Sequence, residues 1–328
     1  MIDLKKIIDD SKFLDLPLVE SPPVITISDR IIAHNNSFIT LNGLPKSRKT
    51  TFMQFFIASA LTGSNIFGIK VNVSPSELVL LIDTEQSLYD FTRQTKTLKN
   101  LIHSKTLPSN FEAYLFRQYD PDIVLNSMYL LIKERLPKLI FLDNLTELVL
   151  NFNDPVESKK IVQFLKKITT EFNCVIVALL HLGKGNLQSL GNLGSYTDRG
   201  ASSVLKVVAD KDTGTSTLEA TLLRSDYHFD PITIGFNTEL KEYELIGTSP
   251  VEKNKKFDLA NITVDEHKAK VNLIFERYTD IQYSQLVEEL KIMYGVGNNI
   301  VKQKIIPYLQ SIKIIKAQSK GIYIKLII

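Results

Sequence analysis

The segment Gly43-Leu44-Pro45-Lys46-Ser47-Arg48-Lys49-Thr50 has the spacing of a phosphate-binding loop, G-x-x-x-x-G-K-[ST], with arginine in the place of the second glycine. In such a loop a run of backbone N–H groups wraps the phosphates, the lysine reaches the β- and γ-oxygens, and the next hydroxyl holds Mg²⁺. Gly43, Leu44, Pro45, Lys46, Ser47, Arg48, Lys49, Thr50 and Thr51 are therefore the expected contacts of a nucleotide, with ATP and Mg²⁺ as the implied ligands. Glycine tolerates turns that cost other residues roughly 1 kcal/mol or more. Arg48 is accordingly expected to point outward or to add its charge to the β/γ oxygens.

Three further polar residues follow apolar strand-like runs, the positions that face ligands in an open α/β sheet. Leu78 to Ile82 ends in Asp83-Thr84-Glu85-Gln86, which places Glu85 to orient or deprotonate a water. Leu139 to Leu142 ends in Asp143-Asn144, where the aspartate would hold the Mg²⁺ shell opposite Thr50. Val175 to Leu180 ends in His181, a position from which a side chain can sense the γ-phosphate.

These residues need strands and helices to carry them. Ile39 to Leu41 reads as a buried strand before the loop, and Thr51 to Ala58 as a helix after it. Strands are expected at 38–42, 78–82, 113–117, 138–142, 174–180, 217–223 and 231–236, alternating with helical stretches. That alternation predicts a mainly parallel sheet covered on both faces. The expected organisation is an N-terminal arm and first strand over 1–36, a core over 37–247, a polar linker over 248–261 and a small unit over 262–328. The arm is read as an amphipathic helix that packs either on a neighbouring subunit or on its own domain.

Composition narrows the classes. The chain has 328 residues, 44% of them hydrophobic, enough for a full core, and a net charge of +3, which neither demands nor excludes nucleic acid. Its single cysteine, Cys174, lies in an apolar run and is expected to be a buried structural thiol. Acids in the first ten residues argue against a signal peptide, and no apolar run approaches the roughly 20 residues of a membrane span. A cytoplasmic protein is the simplest expectation.

From about residue 24 to 236 the sequence resembles RecA-fold ATPases of the plasmid RepA-type and DnaB-type hexameric helicase group. The residues that carry the resemblance are the loop through Lys49 and Thr50, Glu85, Asp143, Asn153-Asp154-Pro155 with Ser158, His181-Leu182-Gly183-Lys184, and Arg199-Gly200-Ala201-Ser202-Ser203. The resemblance implies an α/β, RecA-like P-loop NTPase core with Glu85 as catalytic base, Asp143 as the metal-shell acid and His181 as sensor. It also implies a homo-oligomer such as a hexamer, in which an arginine from the adjacent subunit completes the site. Arg224 is the first candidate and Arg199 the second; Arg224 lacks the group's usual basic residue two positions on. In ring helicases the loop after the sensor faces the central channel, so Lys184 is an expected contact to single-stranded DNA.

Residues 264–280, 283–293 and 299–311 read as helices, and 312–316 with 322–326 as a hairpin, the order of a winged helix. From Lys291 to the end there are seven lysines and no acid. Lys302 and Gln303 are the expected groove contacts to duplex DNA, and Lys320 the tip of the wing. Docking on a protein is the competing use of such a unit. The leading expectation is thus an ATP-driven DNA helicase or translocase of a plasmid, phage or mobile element. A non-hydrolysing DNA-binding regulator or loader and a KaiC-like autokinase are the alternatives.

Overall fold

The computed structural model describes residues 5, 21–183, 190–247, 259, 262–294, 296, 298–319 and 321–326. The chain divides into two compact units, Met1–Ser249 and Pro250–Ile328.

In the first unit, β1 (Ile25–Ile27), β2 (Arg30–Ala33) and β4 (Ile69–Val71) make a small antiparallel sheet in the order β2-β1-β4. The main sheet has nine strands: β3 (Ser37–Gly43), β5 (Val79–Asp83), β6 (Phe111–Leu115), β7 (Leu139–Asp143), β8 (Val175–His181), β9 (Ser203–Ala209), β10 (Ser216–Leu223), β11 (Ile232–Asn237) and β12 (Glu242–Gly247). Their spatial order is β12-β11-β10-β9-β3-β8-β7-β5-β6. The half from β9 to β6 is parallel, and β10 to β12 extend it antiparallel. The mixed α/β fold with a mainly parallel central sheet is the one expected.

The parallel strands are apolar throughout because both their faces are covered. Along β7 and β8 the two-residue period sends Leu139, Phe141, Val177 and Leu179 to one core and Ile140, Leu142, Ile176 and Leu180 to the other. The first core is filled by α1 (Lys49–Thr62), buried nearly all round through Phe52, Phe55 and Phe56. An apolar helix of this kind can only sit inside. The second core takes Met128 and Ile132 from α3 (Pro121–Arg135) and Ile161, Leu165 and Ile168 from α4 (Pro155–Glu171). Between β5 and β6 lies α2 (Leu88–Leu101), and α5 (Gly191–Gly200) precedes β9. Cys174 is buried, and that burial pushes its thiol up to about 12.

Strand β9 is absent from the sequence expectations although it borders the phosphate-loop strand. Lys206 breaks its apolar run, and only the partner strand explains it: Lys206 lies opposite Glu219, with Nζ 3.6 Å from Oε1. Strands β2, β4 and β12 were likewise not expected; β12 is an exposed edge whose polar residues carry no buried pattern. The arm at 1–20, residue 5 apart, and the linker at 248–261, residue 259 apart, lie outside the described residues. Among the described residues no helix is long and apolar enough to cross a membrane.

The second unit contains α6 (Val264–Phe275), β13 (Ile281–Gln282), α7 (Tyr283–Tyr294), a third helical stretch over 298–311, β14 (Ile315–Ser319) and β15 (Ile322–Lys325). Its sheet order is β13-β15-β14. Helix α6 stops at Phe275 rather than 280, because the chain turns there to place Ile281 beside Tyr323. Its start is fixed by a capping box: Thr263 Oγ1 accepts from the Glu266 amide and Glu266 Oε2 from the Thr263 amide. Val271, Ile274, Leu286, Leu290, Val301, Ile305 and Leu309 fill the core.

His267 is fully buried in this core, with Nδ1 2.6 Å from the Tyr294 hydroxyl. Burial holds its pKa below the ordinary value of 6.5, against a smaller opposing pull from the Leu259 backbone and Glu266. The unfolded chain therefore takes a proton that the folded unit resists, so stability is full above about pH 6.5 and falls as pH drops below it. Hydrogen exchange across 264–311 in the full chain, corrected for intrinsic rates, is expected to be faster at about pH 5.5 than at about pH 7.5. In His267→Gln, which stays neutral, that difference should vanish.

Candidate active site

Strand β3 runs between β8 and β9 and delivers Gly43 beside His181 on one side and Val207 on the other. A Cβ on Gly43 would lie 2.4 Å from Ser47 Oγ and 2.8 Å from the Val207 carbonyl oxygen, so glycine is required here by crowding. The loop then turns tightly, with the Ser47 amide donating to the Leu44 carbonyl at 3.1 Å. Lys46 (φ 64°) and Arg48 (φ 71°) both adopt the left-handed conformation. Helix α1 follows at once, and no side chain caps its start. Its first backbone N–H groups, together with the helix dipole, make a site for an anion.

Lys49 Nζ donates to the carbonyls of Gly43 (3.0 Å) and Leu44 (3.1 Å) and lies 3.2 Å from His181 Nδ1. Burial lowers its pKa to about 8, against the pull of Asp143 and Glu85. Thr50 Oγ1 donates to Asp143 Oδ2 at 2.9 Å, and Gln86 Nε2 donates to the same oxygen at 3.3 Å. The nearly buried Asp143 carboxyl is pushed up to about 7, first by desolvation and then by the negative charge of Asp83. Asp83 is itself buried: Oδ1 accepts from the amides of Glu85 (3.0 Å) and Gln86 (2.8 Å), while Oδ2 has no hydrogen-bond partner.

This donor set fits Mg²⁺. The ion takes one or two carboxylates or hydroxyls and otherwise keeps water and phosphate oxygens, so no cage of protein ligands is needed. Among the described residues there is indeed no group of three His, Cys, Asp or Glu side chains that could hold a metal alone. A divalent charge at Thr50 and Asp143 would offset the mutual repulsion of two buried carboxylates.

Glu85 is fixed from two sides. Asn144 Nδ2 donates to its Oε2 at 2.6 Å, and His181 Nε2 lies 3.4 Å from the same oxygen. The two ring nitrogens of His181 thus bridge Lys49 and Glu85. These contacts, the one with His181 foremost, hold the Glu85 carboxyl down to about 2 despite partial burial. Asn144 is in turn fixed by Thr84 and Thr146: its backbone N–H donates to Thr84 Oγ1 (2.9 Å), and its side-chain Oδ1 accepts from the Thr146 amide (2.7 Å). Lys49, Thr50, Glu85, Asp143 and His181 thus meet at one end of the sheet.

Arg48 reaches out of the loop, the first of the two courses named for it. Its Nη1 donates to the Gly214 carbonyl at 2.6 Å, with Ser216 Oγ at 3.4 Å, which carries it across to the turn between β9 and β10. Thr51 Oγ1 lies 3.5 Å from the Tyr243 hydroxyl. Arg224 and Arg199 stand elsewhere. Leu223 pairs with Ser203, which lies beside Ile39, four residues and about 13 Å of strand before Gly43. Arg224 donates to the Arg199 carbonyl, and Arg199 Nη2 to Ser195 Oγ at 3.0 Å. Neither reaches the site of its own chain. The Asn153-Asp154-Pro155 segment starts α4: Asp154 caps the amides of Val156 and Glu157, and Ser158 Oγ donates to the Asp154 carbonyl. Lys184 and Lys320 lie outside the described residues, while Lys302 and Gln303 are exposed in the second unit.

The site is a cleft of about 390 Å³ lined by Lys46 to Thr51 of the loop and helix start, Glu85, Asp143 and His181. It shares Arg48, Arg93, Thr97 and Tyr243 with a second cavity of about 700 Å³. Sequence reasoning passed over Asp83, Asn144 and this second cavity. Asp83 and Asn144 adjoin expected residues at strand ends, which is the signal that could have found them. Phe236 and Tyr243 come together only through the pairing of β11 with β12.

No family model matches the chain, and no curated protein matches it. Among solved structures it is similar to a KaiC-like protein from the hyperthermophilic archaeon Pyrococcus horikoshii OT3, at 15% identity and a TM-score of 0.46, over 65% of this chain and 91% of that one. In the first unit the loop strand β3 is separated from the Asp143 strand by β8, and the sheet continues past β9 in antiparallel strands.

Gly43→Ala is expected to weaken binding of tripolyphosphate with Mg²⁺ at least about tenfold, since the backbone of Val207 cannot yield cheaply. Gly63→Ala, at φ +66° in open space, should lower stability by roughly 1 kcal/mol and leave that binding unchanged. Calorimetric titration of both variants checks the pair.

Proposed function

We propose that the chain is a Mg²⁺-dependent ATPase of the helicase or translocase type, working on DNA in the replication or mobilisation of a plasmid, phage or mobile element. The observation that carries the ATPase part is the 2.9 Å contact of Thr50 with Asp143 beneath an uncapped helix start, with Glu85 clamped alongside by Asn144 and His181. The loop amides and Lys49 would receive the β- and γ-phosphates, and Thr50 and Asp143 would hold the metal. Bound Mg²⁺ supplies charge neutralisation on the phosphate oxygens. Glu85 orients the attacking water. A carboxylate at about 2 is a weak proton acceptor, so its first task is alignment, and loss of the His181 contact raises its basicity.

The adjoining cavity suits the base. Phe67, Phe236 and Tyr243 give it flat apolar walls, and Thr97 and Asn100 give it hydrogen-bonding edges. Phe236 is partly exposed there, against Tyr243 at 5.1 Å between ring centres.

Support for DNA comes from the second unit. Lys302, Gln303 and Lys304 are exposed on the side of the third helical stretch opposite the buried Val301 and Ile305, in a winged-helix-like order of elements. The segment after residue 290 contains seven lysines and no acid, and one of them, Lys291, pairs with Glu288 at 3.0 Å. A homo-oligomer, a hexamer in the group the sequence resembles, would let Arg224 or Arg199 act on a neighbour's nucleotide, and a cytoplasmic location suits this use. The second reading is a nucleotide-gated DNA-binding regulator or loader, and the low basicity of the clamped Glu85 favours it.

Glu85→Gln is expected to lower ATP turnover at least about a hundredfold while ATP affinity stays within about threefold. Single-stranded DNA should raise the wild-type rate. ATP binding with no turnover, in wild type and variant alike, would instead establish the regulator. Phe236→Ala should weaken ATP about tenfold and leave tripolyphosphate unaffected, as loss of a stacked base requires.

A further inference from the structure

We propose that Arg48 is a positioning residue: its tether to the β9–β10 turn holds the phosphate loop in the left-handed conformation for which a glycine otherwise serves. This rests on the reading of residues 43–50 as a phosphate loop. Arg48 sits at φ 71° and ψ 29°, squarely in the left-handed region, and its amide group immediately precedes helix α1. A residue with a Cβ resists that conformation, and a contact made by its side chain can offset the cost. The structure supplies one, the 2.6 Å hydrogen bond from Nη1 to the Gly214 carbonyl, with Ser216 Oγ close by.

The anchor is firm enough for the purpose. Asp210 closes the turn by accepting from the amides of Asp212 (2.9 Å) and Thr213 (3.4 Å), and its own amide donates to the Thr215 carbonyl at 3.0 Å. Thr213 and Thr215 join hydroxyls at 2.8 Å across it. The same hairpin grips the other end of the loop, because Val207 of β9 pairs with Gly43 and its carbonyl crowds that glycine. The loop is thus held at its first residue by β9 and at its sixth by the turn that follows β9. Its shape is set by tertiary contact rather than by local conformational freedom. Coupling runs both ways, so the position of the β9–β10 hairpin and the shape of the phosphate site are linked.

The test compares Arg48→Ala with Arg48→Gly in the full chain. Affinity for ATP and for tripolyphosphate, each with Mg²⁺, is read by calorimetry, and hydrogen exchange is read over residues 210–216. Arg48→Ala keeps the strained conformation without its tether and should bind about tenfold more weakly. Arg48→Gly removes tether and strain together and should bind within about threefold of wild type. Exchange over 210–216 should rise in both. Equal losses in the two variants would overturn the proposal, since they would show that the guanidinium itself touches phosphate. An Arg48→Ala chain that binds as wild type does, or unchanged exchange over 210–216, would overturn it as well. If the wild type binds neither ligand, the phosphate-loop reading fails, and the exchange of the hairpin still decides whether the tether exists.

Discussion

Three carboxylates converge on one end of the main sheet, and among the described residues one cation, Lys49, is buried with them. Asp83 and Asp143 end neighbouring strands in exact register, and Glu85 follows two residues later. Such proximity in a partly desolvated site cannot leave all three ionised without help. Each solves the problem differently. Glu85 keeps its charge through His181 and Asn144, whereas burial raises Asp83 against the pull of two backbone amides and raises Asp143 to about 7. The unmet demand is for positive charge at Asp143 and Thr50, and the phosphate loop stands where a metal–nucleotide pair would bring it. The rest of the first unit can be understood as the scaffold that enforces this crowding.

Enforcement comes from the parallel strands. Because β3, β5, β7 and β8 are apolar on both faces, their side chains are sorted between two cores, and a one-residue slip would send each to the core packed for its neighbour. The polar residues after each strand therefore arrive together. Helix α1, packed from Phe52 to Ala60, cannot recede from the sheet, so its uncapped start stays aimed at the same point. The antiparallel extension has a different use. It braces the loop at Gly43 and Arg48 and forms one wall of the larger cavity.

Much of this was legible in the sequence. Strands that end in Asp83, Asp143 and His181 announce themselves through runs of Leu, Ile and Val, and residues at their ends follow from topology alone. What escaped was whatever depended on a partner strand. Strand β9 hides behind Lys206, which makes sense only opposite Glu219. The course of Arg48 depends on a turn 166 residues further along, and local reasoning about glycine could state the strain but not its relief. Asn144 looked like a neighbour of the important aspartate, yet it is the group that holds Glu85 in place. In the second unit the helices and hairpin were visible from periodicity, while the early stop of α6 at Phe275 needed the short strand at Ile281 to explain it.

The central claim is that Thr50 and Asp143 hold a metal that accompanies a nucleotide triphosphate on this loop. Calorimetric titration of the wild-type chain with ATP, in Mg²⁺ and again in excess chelator, tests it most directly. The account predicts binding of one nucleotide per chain that weakens at least about tenfold when Mg²⁺ is removed. Affinity indifferent to Mg²⁺, or no binding in its presence, would contradict it.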